Sequence, residues 1–402
     1  MRTLSFTLSL STALILGCSP TSSGSGSKSD ATNSDASTGT SSGTVDGAAD
    51  GGTAGDGTTE GGTTATGTTT GSDTGGGDTG GGDTGGGDTG TTGPVSDLVD
   101  PSCTDGQYTE PPLATNADIS DLMAGYDPGN PTGFIIDVLD RRYPFGAFLV
   151  EQTLHKGVNG TTENCTEFFS KSFNLSSASG AMSSLGTVVH ECGHGFDLLD
   201  LFNPTYQITE DLSFSCKNGG VGGGFGSGVT FARSLIKGDE YSQLRTPCQS
   251  FFDKDCEDTY AGIYLDGDPT DANFESGDQG FDTVLEETVQ YVNSLAVAYA
   301  YADQQSPFAA SSDRDGILTF LWYVQRYLRM ARLEHPAAYE LLSQDACWRD
   351  AILTVWGRAW MYLEITSDMN GLGIDDTTIE GLVLYPELLE EIDRLRDASG
   401  CQ

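Results

Sequence analysis

Positively charged residues are scarce in this sequence. The 402 residues include 58 Asp and Glu but only 19 Lys and Arg, which gives a formal net charge of −39 at pH 7. So acidic a chain repels nucleic-acid phosphates and anionic lipid headgroups, and we expect no nucleic-acid partner and no basic membrane-docking patch. Long apolar runs are missing beyond residue 17, which excludes a membrane-spanning helix of about 20 residues from the mature protein.

The N-terminus has the layout of a secretory signal over residues 1–17. Arg2 is followed by an apolar run that ends in Leu14-Ile15-Leu16-Gly17-Cys18. This string resembles a bacterial lipobox, which implies a lipid anchor on Cys18; an ordinary signal peptide with an incidental cysteine is the alternative. Because residue 19 is Ser rather than Asp, the resemblance implies an outer-membrane or cell-surface lipoprotein of the bacterial envelope, with membrane contact through the lipid anchor only.

Aromatic residues are absent from positions 19–94, and Val45 is the single branched aliphatic residue there. Such a segment cannot bury enough apolar surface to offset its ordering entropy, so we predict a disordered linker over residues 18–98. Its GGGDT repeats between residues 75 and 90 suit a flexible spacer. A calcium-binding glycine-aspartate repeat is disfavoured, because it would need an apolar residue in each turn.

A change of composition marks a globular domain over residues 99–402. Apart from Cys18, the domain holds eight cysteines and no CxxC pair, which argues against a structural zinc or redox motif. An even number in an oxidising compartment predicts several disulfides, whose pairing the sequence leaves open. The eight are Cys103, Cys165, Cys192, Cys216, Cys248, Cys256, Cys347 and Cys401.

The apolar periodicity predicts an α+β fold with a mostly helical C-terminal half. Helices are predicted at about 131–142, 185–199, 282–302, 316–333, 337–357 and 386–397. A strand is predicted at 145–153 and a loop-rich acidic region at 203–280, with a sheet in the N-terminal lobe. We expect the domain to be monomeric.

The segment His190-Glu191-Cys192-Gly193-His194 has the spacing of a metal site. Two histidines four residues apart lie on one face of a helix, where both imidazoles can bind a single Zn²⁺. The carboxylate of Glu191 would lie beside the open metal position and could take a proton from an attacking water, as in metallopeptidases. His190 and His194 are therefore the predicted metal ligands and Glu191 the predicted catalytic base.

This segment resembles the active-site helix of zincins, and its fuller HExGHxxD form is similar to that of the lethal-factor-like metallopeptidases, including Pro-Pro endopeptidases. The resemblance implies a zincin fold, one Zn²⁺ per chain, a peptide or protein substrate, and a glutamate on a later helix as third ligand, as in gluzincins. Glu287 fits that pattern best, and Glu286 beside it is the alternative. A competing ligand set uses Asp200, which stands ten residues after His190, where metzincins carry their third histidine. Asp197 suits a supporting role near a histidine.

The residue that would stabilise the oxyanion stays open. Lethal-factor-like enzymes have a tyrosine seven residues before the ligand glutamate, where this chain has Gly280. The candidates for stabilising the oxyanion are instead Tyr260, Tyr264, Tyr291 and His155.

Two acidic loops raise the question of a Ca²⁺ site. Asp266, Asp268, Asp271 and Asn273 gather oxygen ligands, and residues 368–379 partly imitate an EF-hand loop, with Leu372 and Ile379 at ligand positions. Solvated loops are the simpler interpretation of both. The expected function is thus an extracytoplasmic zinc endopeptidase, and the alternative is a zincin-fold surface lipoprotein that binds without catalysis.

Overall fold

The computed structural model describes residues 98–156, 165–168, 173–197, 205–222, 231–250, 253–268, 275–304 and 311–401. The predicted signal, Cys18 and nearly all of the predicted linker lie outside these ranges, as does Asp200. None of the described helices is both long and apolar enough to cross a bilayer.

The described residues are mostly helical, with one two-stranded sheet. The helices are α1 Thr104–Gln107, α2 Ser120–Ala124, α3 Pro131–Arg142, α4 Pro144–Lys156, α5 Cys165–Phe168, α6 Ala178–Ser183, α7 Leu185–Asp197, α8 Ala261–Tyr264, α9 Phe281–Ala300, α10 Asp313–Glu334, α11 Pro336–Gln344, α12 Ala346–Ile365, α13 Asp376–Val383 and α14 Pro386–Ser399. The antiparallel strands are β1 Thr205–Gln207 and β2 Ser213–Ser215, with Tyr206 opposite Phe214. Short 3-10 helices span Arg233–Gly238, Glu240–Gln243, Ser276–Asp278 and Ala302–Gln304.

The predicted strand at 145–153 is wrong, because this segment is helix α4. Pro144 stands at the first position of α4, where a missing N–H and a fixed φ favour a helix. Phe145, Leu149 and Val150 are buried along it, against α3 and α7. A short apolar run reads equally well as a buried helix or a buried strand, and the long-range packing decided it. The predicted N-terminal sheet is accordingly not found among the described residues.

Local capping explains where several helices begin and end. The side chain of Asn130 accepts from the backbone N–H of Gly133 and opens α3. Asp345 accepts from the backbone N–H groups of Cys347 and Trp348, and this cap divides the single helix predicted at 337–357 into α11 and α12. Gly400, at φ 79°, ends α14 in the left-handed region that favours glycine.

Helix α9 forms the centre of the core. It packs against α7 on one side and α10 and α12 on others, and 18 of its 20 residues are buried. A helix buried on all sides is normally apolar. Helix α9 instead carries the buried polar residues Glu286, Glu287, Gln290, Asn293 and Ser294. Such groups must be paired or bind something, because burying them unpaired is costly.

Four disulfides cross-link the described domain. Their pairs are Cys103–Cys401, Cys165–Cys192, Cys216–Cys347 and Cys248–Cys256, so all eight predicted cysteines are used. The Cys103–Cys401 bridge joins the two ends of the described domain, whereas Cys165–Cys192 ties α5 to the middle of α7. Cys192 is therefore a disulfide cysteine, although it lies between the two histidines in sequence.

Candidate metal centre

Helices α7 and α9 bring His190, His194 and Glu287 together. One ligating atom from each of these side chains lies within 4.8 Å of the other two, and all three residues are buried. Glu287 Oε2 is 3.7 Å from His190 Nε2 and 3.5 Å from His194 Nε2. The described residues contain no other group of three or more His, Cys, Asp or Glu arranged so that it could hold a metal ion.

Several buried polar atoms of the site residues and of Glu191 have no hydrogen-bond partner. His194 Nε2, Glu287 Oε2 and Glu191 Oε2 are buried and have no hydrogen-bond partner. Buried polar atoms are normally satisfied, and the exceptions require an explanation. Two imidazoles and a carboxylate are the donor set of a catalytic zinc site that keeps its fourth position open. The residues present therefore fit a metal ion at this place.

Glu286 has a different role from Glu287. Its carboxylate lies behind His194, with Oε1 and Oε2 at 2.8 Å and 2.7 Å from His194 Nδ1. A carboxylate on Nδ1 holds the ring so that Nε2 presents its lone pair to the metal position. His190 has a weaker counterpart, since its Nδ1 is 3.3 Å from Ser294 Oγ. The two neighbouring glutamates thus have different roles. Glu287 faces the candidate metal position, and Glu286 orients the imidazole of His194.

Arg233 contacts the other carboxylate oxygen of Glu287, and no local pattern in the sequence marks it as a residue of the site. Its Nη2 is 3.8 Å from Glu287 Oε1, and its Nε donates to Thr283 Oγ1 at 2.9 Å. The guanidinium is buried and also lies 5.8 Å from the ring centroid of Tyr264. Arg233 thus directs Oε1 away from the histidines and leaves Oε2 towards them.

Burial and neighbouring charges shift the pKa values of the three candidate ligands. Burial would raise the pKa of Glu287, but His194, His190 and Arg233 outweigh it and hold that pKa well below its usual range. Burial by itself would lower the pKa of His194. The negative charges of Glu286 and Glu287 outweigh burial and hold that pKa well above its usual range. Burial lowers the pKa of His190. Glu287 is therefore an anion, the state that metal binding requires, whereas His194 would release a proton when a metal bound.

Glu191 lies on α7 beside His190, and its side chain is buried. Burial raises the pKa of its carboxyl to about 8, with His194 acting in the opposite direction and Glu287 and Glu286 adding to the rise. A general base works best when its pKa is near the operating pH. The position and unpaired Oε2 of Glu191 suit the exchange of a proton with a group at the metal position.

The other predicted residues fall in different places. Asp197 accepts from the backbone N–H of Gln207 at 3.1 Å and from Gln290 Nε2 at 2.9 Å, so it lies in the buried layer behind the ligands. Of the oxyanion candidates, Tyr291 contacts a residue of the site: its ring centroid is 4.9 Å from that of His190, and its hydroxyl is 3.0 Å from that of Tyr264. The side chain of His155 lies outside the described residues.

The two acidic loops do not form a calcium cage in the parts that the structure describes. Asp376 of the EF-hand-like loop pairs with Arg314 at 2.7 Å, and Asp375 pairs with Arg245 at 2.5 Å. Asp266 is 3.8 Å from Lys237 Nζ, while Asp271 and Asn273 lie outside the described ranges. Asp376, Asp375 and Asp266 thus balance cations of the protein.

Comparison with known proteins identifies no relative of this chain. The chain matches no protein-family model, no curated protein and no solved structure. The chemistry of the site is therefore inferred from the geometry of the chain's own residues.

Proposed function

We propose that the protein is a lipid-anchored, extracytoplasmic zinc endopeptidase of the gluzincin type with a zincin-like fold. The observation that carries the proposal is the meeting of His190, His194 and Glu287, each of which offers one ligating atom within 4.8 Å of the other two, with His194 Nε2 and Glu287 Oε2 buried and without a hydrogen-bond partner. Two imidazoles and a carboxylate that meet in this way form the donor set that a catalytic zinc site requires.

The residues divide into those that bind and one that moves a proton. His190, His194 and Glu287 would hold Zn²⁺, which when bound supplies Lewis-acid activation of a water and of the scissile carbonyl. Glu191 accepts the proton of the attacking water and passes it to the amine that leaves as the peptide bond breaks. Burial of Glu191 supports the second half of this transfer, since the raised pKa lets the carboxyl hold the proton until the amine leaves.

The substrate is proposed to be a peptide or protein outside the cytoplasm. Cys18 would carry the lipid, and the residues up to 98 would tether the domain to the envelope. The four disulfides suit an oxidising compartment of this kind.

The proposal is tested by comparing the purified full chain with its Glu191→Gln variant. We expect about one zinc per chain in both proteins by elemental analysis, since Glu191 is not among the ligands. Cleavage of a peptide library should fall by at least about 100-fold in the variant, since positioned acid–base groups contribute about 10²–10⁴-fold.

Two results would contradict the proposal in different ways. A folded wild-type chain without zinc would remove the metal site. A zinc-loaded wild-type chain without peptidase activity would leave a surface binding lipoprotein as the function.

A further inference from the structure

A chain of buried hydrogen bonds leads from the metal centre into the core. It runs from His194 through Glu286, Gln290 and Asn293 to Arg358 on α12, and each of these residues is at most 4% exposed. Arg358 Nη1 donates to Asn293 Oδ1 at 2.7 Å, and Asn293 Nδ2 donates to Gln290 Oε1 at 2.9 Å. Gln290 Nε2 donates to Glu286 Oε1 and to Asp197 Oδ2, both at 2.9 Å.

The direction of this chain follows from Arg358. A guanidinium has donors only, so the atom of Asn293 that faces it must be the carbonyl oxygen. Tyr143 reinforces this choice: its hydroxyl accepts from Arg358 Nη2 at 3.0 Å and donates to the same Asn293 Oδ1 at 3.2 Å. The amide group of Asn293 must then point to Gln290.

The same reasoning continues to the ligand. Gln290 meets the N–H of Asn293 with its carbonyl and turns its own amide group to Glu286 and Asp197. Glu286, held by this donor, accepts from His194 Nδ1 and leaves His194 Nε2 facing Glu287. Each group has one orientation that satisfies its neighbours, and reversing one amide would place acceptor against acceptor at one end and donor against donor at the other.

We propose that Arg358 acts as a distant positioning residue, which orients the metal ligand His194 through the side-chain amides of Asn293 and Gln290 and the carboxylate of Glu286. The inference rests on the metal site of the proposed function. It adds that the orientation of His194 is set from α12, a helix that contributes none of the three candidate ligands.

The decisive variant is Asn293→Asp, which has nearly the same shape. An aspartate can still accept from Arg358 and Tyr143, but it cannot donate to Gln290. The Gln290 amide should then rotate and withdraw its donor from Glu286. Gln290→Met, which removes that donor without adding a charge, is the second variant in case Asn293→Asp does not fold.

Glu110→Gln is the matched control. Glu110 pairs with Arg358 on the opposite side, at 2.9 Å from Nε and 3.1 Å from Nη2. The variant disturbs the buried ion pair and lowers stability, yet Nη1 of Arg358 can still donate to Asn293. A merely structural effect would therefore appear in the control, whereas loss of the orienting chain would not.

Two measurements on the full chain read out the effect. NMR of the ¹⁵N-histidine-labelled chain without metal should show the Nδ1–H proton of His194 far downfield in the wild type and in Glu110→Gln, and shifted or lost in Asn293→Asp. His190, whose Nδ1 contacts Ser294, is the internal control. Competition with a chelator should show zinc affinity about tenfold weaker in Asn293→Asp and Gln290→Met, and unchanged in Glu110→Gln.

An unchanged His194 signal and zinc affinity in Asn293→Asp, or in Gln290→Met if the former does not fold, would overturn the inference. An equal loss of affinity in Glu110→Gln would overturn it as well, because stability would then be the cause. If the wild type bound no zinc, the proposed function would fail, but the NMR signal would still decide whether the chain orients His194.

Discussion

Gly193, between the two histidines of α7, faces the buried amide of Gln290 on α9. A β-carbon at Gly193 would lie 1.8 Å from Gln290 Oε1. This amide cannot move aside freely, because it is hydrogen-bonded to Asn293, Glu286 and Asp197. The close approach of the two helices therefore depends on the absence of a side chain at this position.

We expect Gly193→Ala to destabilise the domain by about 1–3 kcal/mol through overpacking and loss of hydrogen bonds of Gln290. The matched control is Gly186→Ala on the same helix, where the nearest atom to the new β-carbon is Ser294 O at 3.8 Å, an ordinary contact. This control should be neutral or stabilise the helix by up to about 1 kcal/mol. Urea unfolding checks both, and equal stabilities of the two variants would contradict the prediction.

The two adjacent glutamates of α9 should respond differently to loss of charge. Glu287→Gln removes a ligand that faces both histidines, so zinc binding should weaken by more than the roughly 10–100-fold typical of changes behind the ligands. Glu286→Gln keeps an acceptor for His194 Nδ1 but loses the charge, and about tenfold weakening is expected. Elemental analysis and chelator competition distinguish them.

Thermal unfolding provides an independent check of the same pair. Zinc at 100 times its dissociation constant should stabilise the wild type by about 2.7 kcal/mol. Added zinc should have little effect on Glu287→Gln at the same concentration. If Glu286→Gln lost zinc and Glu287→Gln kept it, the assignment of the third ligand would be reversed.

The disulfides should differ in their effect on stability according to the loops they close. Cys103 and Cys401 are 298 residues apart, whereas Cys248 and Cys256 are 8 apart. The chain-entropy model assigns about 3 kcal/mol more stabilisation to the longer loop. Replacing both cysteines of each pair by serine and measuring urea unfolding tests this, and a larger loss for Cys248–Cys256 would show that loop length does not dominate here.

The sequence predicted most of the longer helices, whereas the short ones were missed. The Asn130-Pro131 start and the two arginines at the end mark α3 at Pro131–Arg142, as predicted. The apolar run of α4 was wrongly predicted as a strand. A helix that is buried on several sides is apolar on several sides, so its sequence lacks the helical alternation of apolar and polar residues. The cap at Asp345 was missed because a polar residue within a helical pattern is equally compatible with an exposed position.

The sequence by itself determined the pair His190 and His194, with Glu191 beside them, because the spacing of four residues is converted into a shared face by the geometry of a single helix. The tertiary structure decided the rest. Whether Glu286 or Glu287 faces those histidines depends on the rotation of α9 against α7, and the two helices are almost a hundred residues apart in sequence. The same packing brought Arg233 behind Glu287 and Arg358 to the end of the amide chain. No local pattern encodes these contacts, since they arise from how distant helices bury their polar faces together.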